Sequence, residues 1–219
     1  MSTSPAPIAR VATTSSPLRV AVLASGSGTN LQALLDDLAQ HERHWQVVVV
    51  VTNIVGARAH ERAEAAGITA VCVPHAGLTR AAHEQQVLDV LTAHDVELVV
   101  LAGYMRVLTP TLLDRFVRAV VNVHPALLPS FPGLHGAKQA LDHGCRITGC
   151  TVHLVDAGVD TGPILAQAAV AVAVDDDEAS LQRRIQVEEH RLLPQVIEAI
   201  ACGHVVAVGE RVRLLDAAV

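Results

Sequence analysis

The sequence predicts an α/β fold: a doubly wound three-layer sandwich around a mostly parallel central sheet. Three observations predict it. From Leu18 onward, short β-branched runs alternate with longer amphipathic segments, the rhythm of βαβ units. The first two runs, 18–24 and 46–52, are almost continuously apolar, as strands buried on both faces are. Finally, 219 residues with 51% hydrophobic content can bury a large aliphatic core without staples and fall outside the disordered class.

Each element follows in order. Residues 1–17 are rich in Ser, Thr, Pro and Ala. They read as a disordered leader outside the fold. No acid precedes Asp36, so a transit peptide also fits, but the continuous apolar core of a signal peptide is missing. Residues 18–203 form the folded domain. Strand 18–24 is followed by a helix over 31–41, with Leu31, Leu34, Leu35 and Leu38 at helical spacing, and by strand 46–52. This βαβ unit has a right-handed crossover. A helix over 57–67 ends at Gly67, before a short strand, 69–73. A helix over 80–94 and a strand over 97–102 come next. Pro110 opens a short helix, and 119–124 is another strand. Residues 125–136, with three prolines and two glycines, are loop. Strands 150–155 and 163–172 are joined by the turn DAGVDTG. A long helix spans about 179–201, and residues 204–219 form a hairpin or a tail. Ligands bind such sheets beyond the carboxyl ends of the strands.

Charge and composition narrow the function. Sixteen Lys and Arg against 22 Asp and Glu give a formal charge of −6, which argues against a nucleic-acid coat. No apolar run reaches the ~18 residues of a membrane span. The cysteines, Cys72, Cys145, Cys150 and Cys202, form no CxxC pair, so neither a zinc site nor a disulfide framework is indicated. They read as buried thiols of a reducing, cytoplasmic compartment.

Four groups of residues carry chemistry. Strand 18–24 runs into Ser25-Gly26-Ser27-Gly28-Thr29-Asn30 and then a helix. Glycines let a backbone approach an anion, and a helix N-terminus supplies free N–H groups. The loop is neither GxGxxG, because Leu31 stands where the last glycine belongs, nor a P-loop, because it has no lysine. It also lacks an acidic ribose anchor about 20 residues on. It is thus a monophosphate cradle or simply a tight capped turn. In AVVNVHP (119–125), alternation puts Asn122 and His124 on one face at a strand's carboxyl end, opposite Val121 and Val123. Such a histidine is either structural or catalytic. Asp160, between Gly158 and Gly162, serves the turn, or reaches His124 if the turn folds back, charging and orienting the imidazole. Glu189 falls in the apolar stripe of Leu181, Ile185, Leu192 and Val196, with Glu188 at its edge. A carboxylate there needs a partner, either a structural Arg or a ligand.

Together, SGSGTNLQ (25–32), LAGYMRVL (101–108), NVHPALLPSFPGLHG (122–136), GCTVHLVDAGVDTGPILAQ (149–167) and RIQVEEH (184–190) resemble the phosphoribosylglycinamide formyltransferase family. The stretches keep that family's order from Leu18 to His190. The block 122–136 is highly specific; SGSGTN alone is not. The resemblance implies a formyltransferase-type fold with 18–203 as catalytic domain. It implies transfer of a formyl group from 10-formyltetrahydrofolate, a co-substrate rather than a bound cofactor, to the glycinamide ribonucleotide of purine biosynthesis. Asn122, His124 and Asp160 match the catalytic trio. Gly28, Thr29 and Asn30 would hold the ribose phosphate, and Gln186, Val187, Glu188 and Glu189 would close on the glycinamide. Met105, Arg106, Val107, Leu108 and Asn122 would line the folate pocket, with Arg80 reaching the folate tail. No metal is implied. Partners would be small-molecule substrates, without nucleic acid or membrane, and a homodimer is compatible. Leu128–Pro129 lies where the family can carry a cis peptide. Ala137 departs from relatives that have histidine there; the leader lies outside the pattern.

A formyltetrahydrofolate hydrolase passes the formyl group to water, but such relatives carry an N-terminal regulatory domain, and here about 17 residues precede the first strand. A methionyl-tRNA formyltransferase adds a C-terminal nucleic-acid-binding domain, for which this chain is too short. A non-enzymatic nucleotide-binding module has no use for a converging Asn122, His124 and Asp160.

Overall fold

The computed structural model describes residues 6–208 and 211–215. Its elements are β1 (Ala6–Pro7), β2 (Leu18–Ala24), α1 (Thr29–Gln40), β3 (Trp45–Thr52), α2 (Arg58–Ala65), β4 (Ala70–Cys72), α3 (Arg80–Ala93), β5 (Leu98–Leu101), α4 (Pro110–Leu113), β6 (Val120–His124), α5 (Gly136–Asp142), β7 (Ile147–Leu154), β8 (Ile164–Ala171), α6 (Glu178–Ala201), β9 (Val205–Val208) and β10 (Arg211–Leu214). Seven strands form the main sheet in the order β4-β3-β2-β5-β6-β7-β8. Pairings from β4 to β6 are parallel; β6–β7 and β7–β8 are antiparallel. The mostly parallel sheet is the one the sequence predicts.

Alternation along β2 shows why three layers form. Leu18, Val20, Val22 and Ala24 pack into one core, with Leu31, Leu34, Ala59, Ala63, Leu181, Ile185 and Leu192 of α1, α2 and α6. Ala21 and Leu23 face the other, with Val87, Leu88, Leu91 and Leu112 of α3 and α4. Both faces of each central strand are therefore covered, so these strands read as continuous apolar runs. Burying one leucine contributes about 1.5–3 kcal/mol. α6 starts at a capping box, in which the Asp177 side chain accepts the Ser180 N–H and Ser180 reaches back to the Asp177 N–H. α4, only four residues long, is held by a buried carboxylate. Glu84 accepts from the Thr109 N–H at 2.8 Å, the Thr109 hydroxyl at 2.6 Å and the Leu112 N–H at 3.2 Å.

Three expectations differ from the structure. The first is the disordered leader, which does not describe residues 6–17; residues 1–5 lie outside the described ones. Ala6 and Pro7 pair with β9, the Ala12 N–H donates to Ala201 O at 2.8 Å, and Ala12 is buried. Arg10 forms an ion pair with Glu97 and donates to the Ser16 and Pro17 carbonyls. Ser and Pro content signals disorder only where no distant partner exists, and here β9 and Glu97 supply partners. The second concerns α5, a seven-residue helix opening at Gly136 that the sequence pattern does not predict, because so short a helix carries too little periodicity. The third concerns the thiols. All four are free, but only Cys150 is buried, and burial pushes its thiol up to about 12. The tail contains the antiparallel pair β9–β10. Among the described residues no helix is long and apolar enough to cross a membrane.

Candidate active site

The sheet reverses direction of winding at β2: β3 and β4 are added on one side, β5 and β6 on the other. At this switch point the loops leaving two neighbouring strands part and leave a crevice. A cavity of about 650 Å³ opens there, lined by residues 25–30 after β2, 101–108 after β5, the end of β6, the turn after β7 and one face of α6.

The loop after β2 is shaped as an anion cradle. Gly28 is the N-cap of α1 with φ 70°, and no side chain caps the helix, so its first N–H groups face the cavity mouth. Glycine is required here twice over. The left-handed backbone disfavours a side chain, and a Cβ would sit 2.8 Å from Ala59 Cα. Behind the cradle, the Ser25 hydroxyl donates to Asn53 Oδ1 at 2.7 Å and accepts the Met105 N–H at 2.8 Å. One hydroxyl thus ties the first loop to the loop after β5.

β6 delivers the polar pair. Val121 and Val123 point into a core, so Asn122 and His124 take the opposite face, as strand alternation requires. The β7–β8 turn then folds back. Gly162 makes that possible, since a Cβ on it would lie 1.8 Å from Leu154 O. Asp160, with φ 54°, comes to rest with Oδ2 3.3 Å from His124 Nδ1 and accepts the Gly133 N–H at 2.8 Å. The other ring nitrogen of His124 donates to Phe131 O at 2.8 Å. Both ring nitrogens face acceptors. The Asn122 amide lies 3.5 Å from Asp160 Oδ1. Burial raises the Asp160 carboxyl, but hydrogen bonds from His153 and the Gly133 N–H, with the charge on His124, outweigh it and hold Asp160 below its usual value.

On the far wall, Glu189 is 4% exposed and accepts from the Asn30 amide at 3.1 Å. Its partner is thus an amide of the cradle and not an arginine. Burial pushes its carboxyl up to about 7, with Asn30 only partly opposing the shift.

A glycine loop at a helix N-terminus and a His–Asp–Asn cluster line one crevice, and known proteins match this chain. Residues 18–197 fit the family described as formyl transferase. The chain belongs to the formyl transferase family. It is 46% identical over 196 residues to the phosphoribosylglycinamide formyltransferase of Mycobacterium tuberculosis, covering 89% of this chain and 90% of that one. It is 46% identical over 189 residues to the trifunctional purine biosynthetic protein adenosine-3 of Drosophila melanogaster, of which it spans only 14%. The crystal structure of glycinamide ribonucleotide transformylase 1 from Symbiobacterium toebii superposes with a TM-score of 0.88 at 46% identity, covering 91% of this chain and 95% of that one.

Most of the residues singled out in the sequence line the crevice of this formyl transferase: Gly28, Thr29 and Asn30; Met105, Arg106, Val107 and Leu108; Asn122, His124 and Asp160; Gln186 and Glu189. Three do not. Val187 is 64% exposed, because Gln182, Gln186 and Glu189 share the inward face of α6 and the next residue after Gln186 is turned about 100° away. Glu188 lies off that face and pairs with Arg191 at 2.9 Å. Arg80 is the first residue of α3 and is exposed, off the crevice wall.

The structure also brings in contacts that the sequence does not disclose. His153 stands directly opposite Asn122 in the β6–β7 ladder. Its Nδ1–H donates to Leu154 O at 2.9 Å, so in the neutral ring Nε2 accepts the Asn122 amide at 3.1 Å; a protonated ring has Asp160 Oδ1 at 3.5 Å. Alternation along 150–155 puts His153 on the face of Thr151, a usable signal, but only the strand register reveals what it meets. Ser25 opens the SGSGTN motif, but its tie to Asn53 and Met105 follows only from the packing, and Gln182 has no signal beyond proximity to the motifs.

Proposed function

We propose that this chain transfers the formyl group of 10-formyltetrahydrofolate to the amine of N1-(5-phospho-D-ribosyl)glycinamide, in purine biosynthesis. The observation that carries the reading is the 3.3 Å approach of His124 to Asp160 beside Asn122, at the end of a crevice that begins in an anion cradle. The ribose phosphate docks on the N–H groups at Gly28, Thr29 and Asn30, aided by the α1 dipole. Glu189 and Gln186 meet the glycinamide portion, and the substrate's polar groups supply what the buried Glu189 carboxyl otherwise lacks. The pterin lies along 105–108.

The chemistry uses these residues in turn. The amine attacks the formyl carbon, forming a carbon–nitrogen bond and an oxyanion. The Asn122 amide and the His124 imidazolium stabilise that charge, while Asp160 keeps the ring charged and aimed. The intermediate collapses with cleavage of the bond to N10 of the folate. One proton leaves the attacking amine and one reaches N10, with Asp160 placed to hold the relaying water. Fixing both substrates in one crevice supplies much of the acceleration.

The test is stoichiometry. Pure protein is given both substrates, and tetrahydrofolate and formylated ribonucleotide are counted. Equal amounts, with no tetrahydrofolate formed when the amine is omitted, are expected. Release of formate without the amine overturns the transferase reading in favour of hydrolysis.

A further inference from the structure

Outside the crevice, three metal-ligating side chains converge at the amino-terminal end of β3. His44 immediately precedes β3, and Glu198 and Cys202 lie one turn apart at the carboxyl end of α6. A ring nitrogen, a carboxylate oxygen and a sulphur all fall within 4.8 Å of one another. Glu198 Oε1 is 2.7 Å from His44 Nδ1 and 3.6 Å from Cys202 Sγ. The ligands stand on fixed backbone. The His44 carbonyl accepts the Leu18 N–H at 2.7 Å, and the Cys202 N–H donates to Glu198 O at 2.9 Å. The second carboxylate oxygen, Oε2, accepts the His44 N–H at 3.1 Å, which orients Oε1 toward the other two, the kind of outer contact that aims a metal ligand.

We propose that His44, Glu198 and Cys202 bind one zinc ion, which clamps the end of α6 to the start of β3. Zinc bonds of ~2.0–2.3 Å put tetrahedral ligands about 3.3–3.7 Å apart. The Glu198–Cys202 separation is already in that range, and the His44–Glu198 contact has to open by roughly half an ångström, within reach of a side-chain rotation. A mixed N, O and S set suits zinc, whereas calcium and magnesium take oxygen ligands. The carbonyl end of a 24-residue helix adds its negative pole. The neighbouring cation, Arg43, is occupied by Asp37, at 2.7 and 2.8 Å. The His44 and Glu198 side chains are 35% and 19% exposed, leaving the fourth position to water.

Protons balance simply. Without metal, the Cys202 thiol and the His44 Nδ1–H both donate to Glu198. On binding, the S–H bond gives way to a zinc–sulphur bond and its proton leaves to solvent, while the imidazole proton moves to Nε2. Glu189, on the crevice wall, and Glu198 stand about 13 Å apart along α6, beyond contact with the reacting groups, so the ion holds structure and takes no part in transfer.

The test uses the whole chain, freed of metal and titrated with cobalt chloride, then zinc chloride. One equivalent of cobalt is expected to give a thiolate-to-cobalt charge-transfer band, which one equivalent of zinc removes. Zinc at about a hundred times its Kd is expected to raise Tm by about 5–10 °C. Cys202→Ser and His44→Gln are expected to weaken binding at least ~100-fold, more than losing an outer contact does. Cys72→Ser and Cys145→Ser keep the band. Circular dichroism and retained crevice activity verify that the variants fold. No saturable uptake, or a band that survives Cys202→Ser, overturns the proposal.

Discussion

Glu189 offers the sharpest test of the crevice. Its carboxyl is 4% exposed and its hydrogen-bond donor, the Asn30 amide, is neutral. Desolvation therefore dominates, and the group titrates at about 7 instead of its ordinary 4.5. The folded chain consequently holds this proton more tightly than the unfolded chain between those two values. The contribution of this group to unfolding free energy is fully present below pH 4.5 and is lost as pH rises through this window. One pH unit corresponds to ~1.4 kcal/mol, so the loss is about 3 kcal/mol by pH 8. Glu189→Gln keeps the shape and still accepts from Asn30, but carries no titratable proton. The Tm of the variant minus that of the wild type should then grow by about 6–12 °C between pH 4.5 and 8. Differential scanning calorimetry of both proteins across that range reads it directly, with other titrations cancelling in the difference. Glycinamide ribonucleotide at pH 8 should recover part of the wild-type loss and little in the variant. Parallel pH profiles for the two proteins refute the reasoning, because they mean the buried carboxyl is not under strain.

Three further outcomes are expected. His124→Ala and Asp160→Ala should each lower turnover at least ~100-fold in steady-state assays, as loss of an acid–base or oxyanion group does; near-normal turnover in either contradicts the roles given to them. Gly28→Ala meets both a φ of 70° and Ala59 at 2.8 Å. It should raise KM for the ribonucleotide at least ~10-fold, leave KM for the folate little changed, and lose about 1–3 kcal/mol of stability; an unchanged ribonucleotide KM argues against the cradle. Glu84→Ala strands the buried Leu112 N–H and the half-buried N–H and hydroxyl of Thr109 and should lose about 3 kcal/mol in urea unfolding; a loss below about 1 kcal/mol means the carboxylate is not what holds α4.

The sequence by itself determined what repeats over a few residues. Period two along 119–125 put Asn122 and His124 on one face, and period 3.6 put Glu189 among Leu181, Ile185 and Leu192. The run from Leu18 to Asn30 disclosed a strand, a glycine turn and a helix start, which left an anion cradle and a plain capped turn both open. Such features depend on neighbours one or two turns away, and local geometry fixes them. Only the tertiary structure decided what distant segments do to one another. That Asp160 reaches His124 depends on a turn returning over the sheet edge, through the close pass of Gly162 beside Leu154. That His153 meets Asn122 depends on antiparallel register, which a one-residue slip would reverse. Val187 and Glu188 share a motif with Gln186 and Glu189 yet turn away from the crevice, because the helix rotates each residue by about 100°. Residues 6–17 are pinned by β9 and Glu97, and His44, Glu198 and Cys202 meet across more than 150 positions of chain; neither follows from composition, since pairing over that separation is set by how the layers pack.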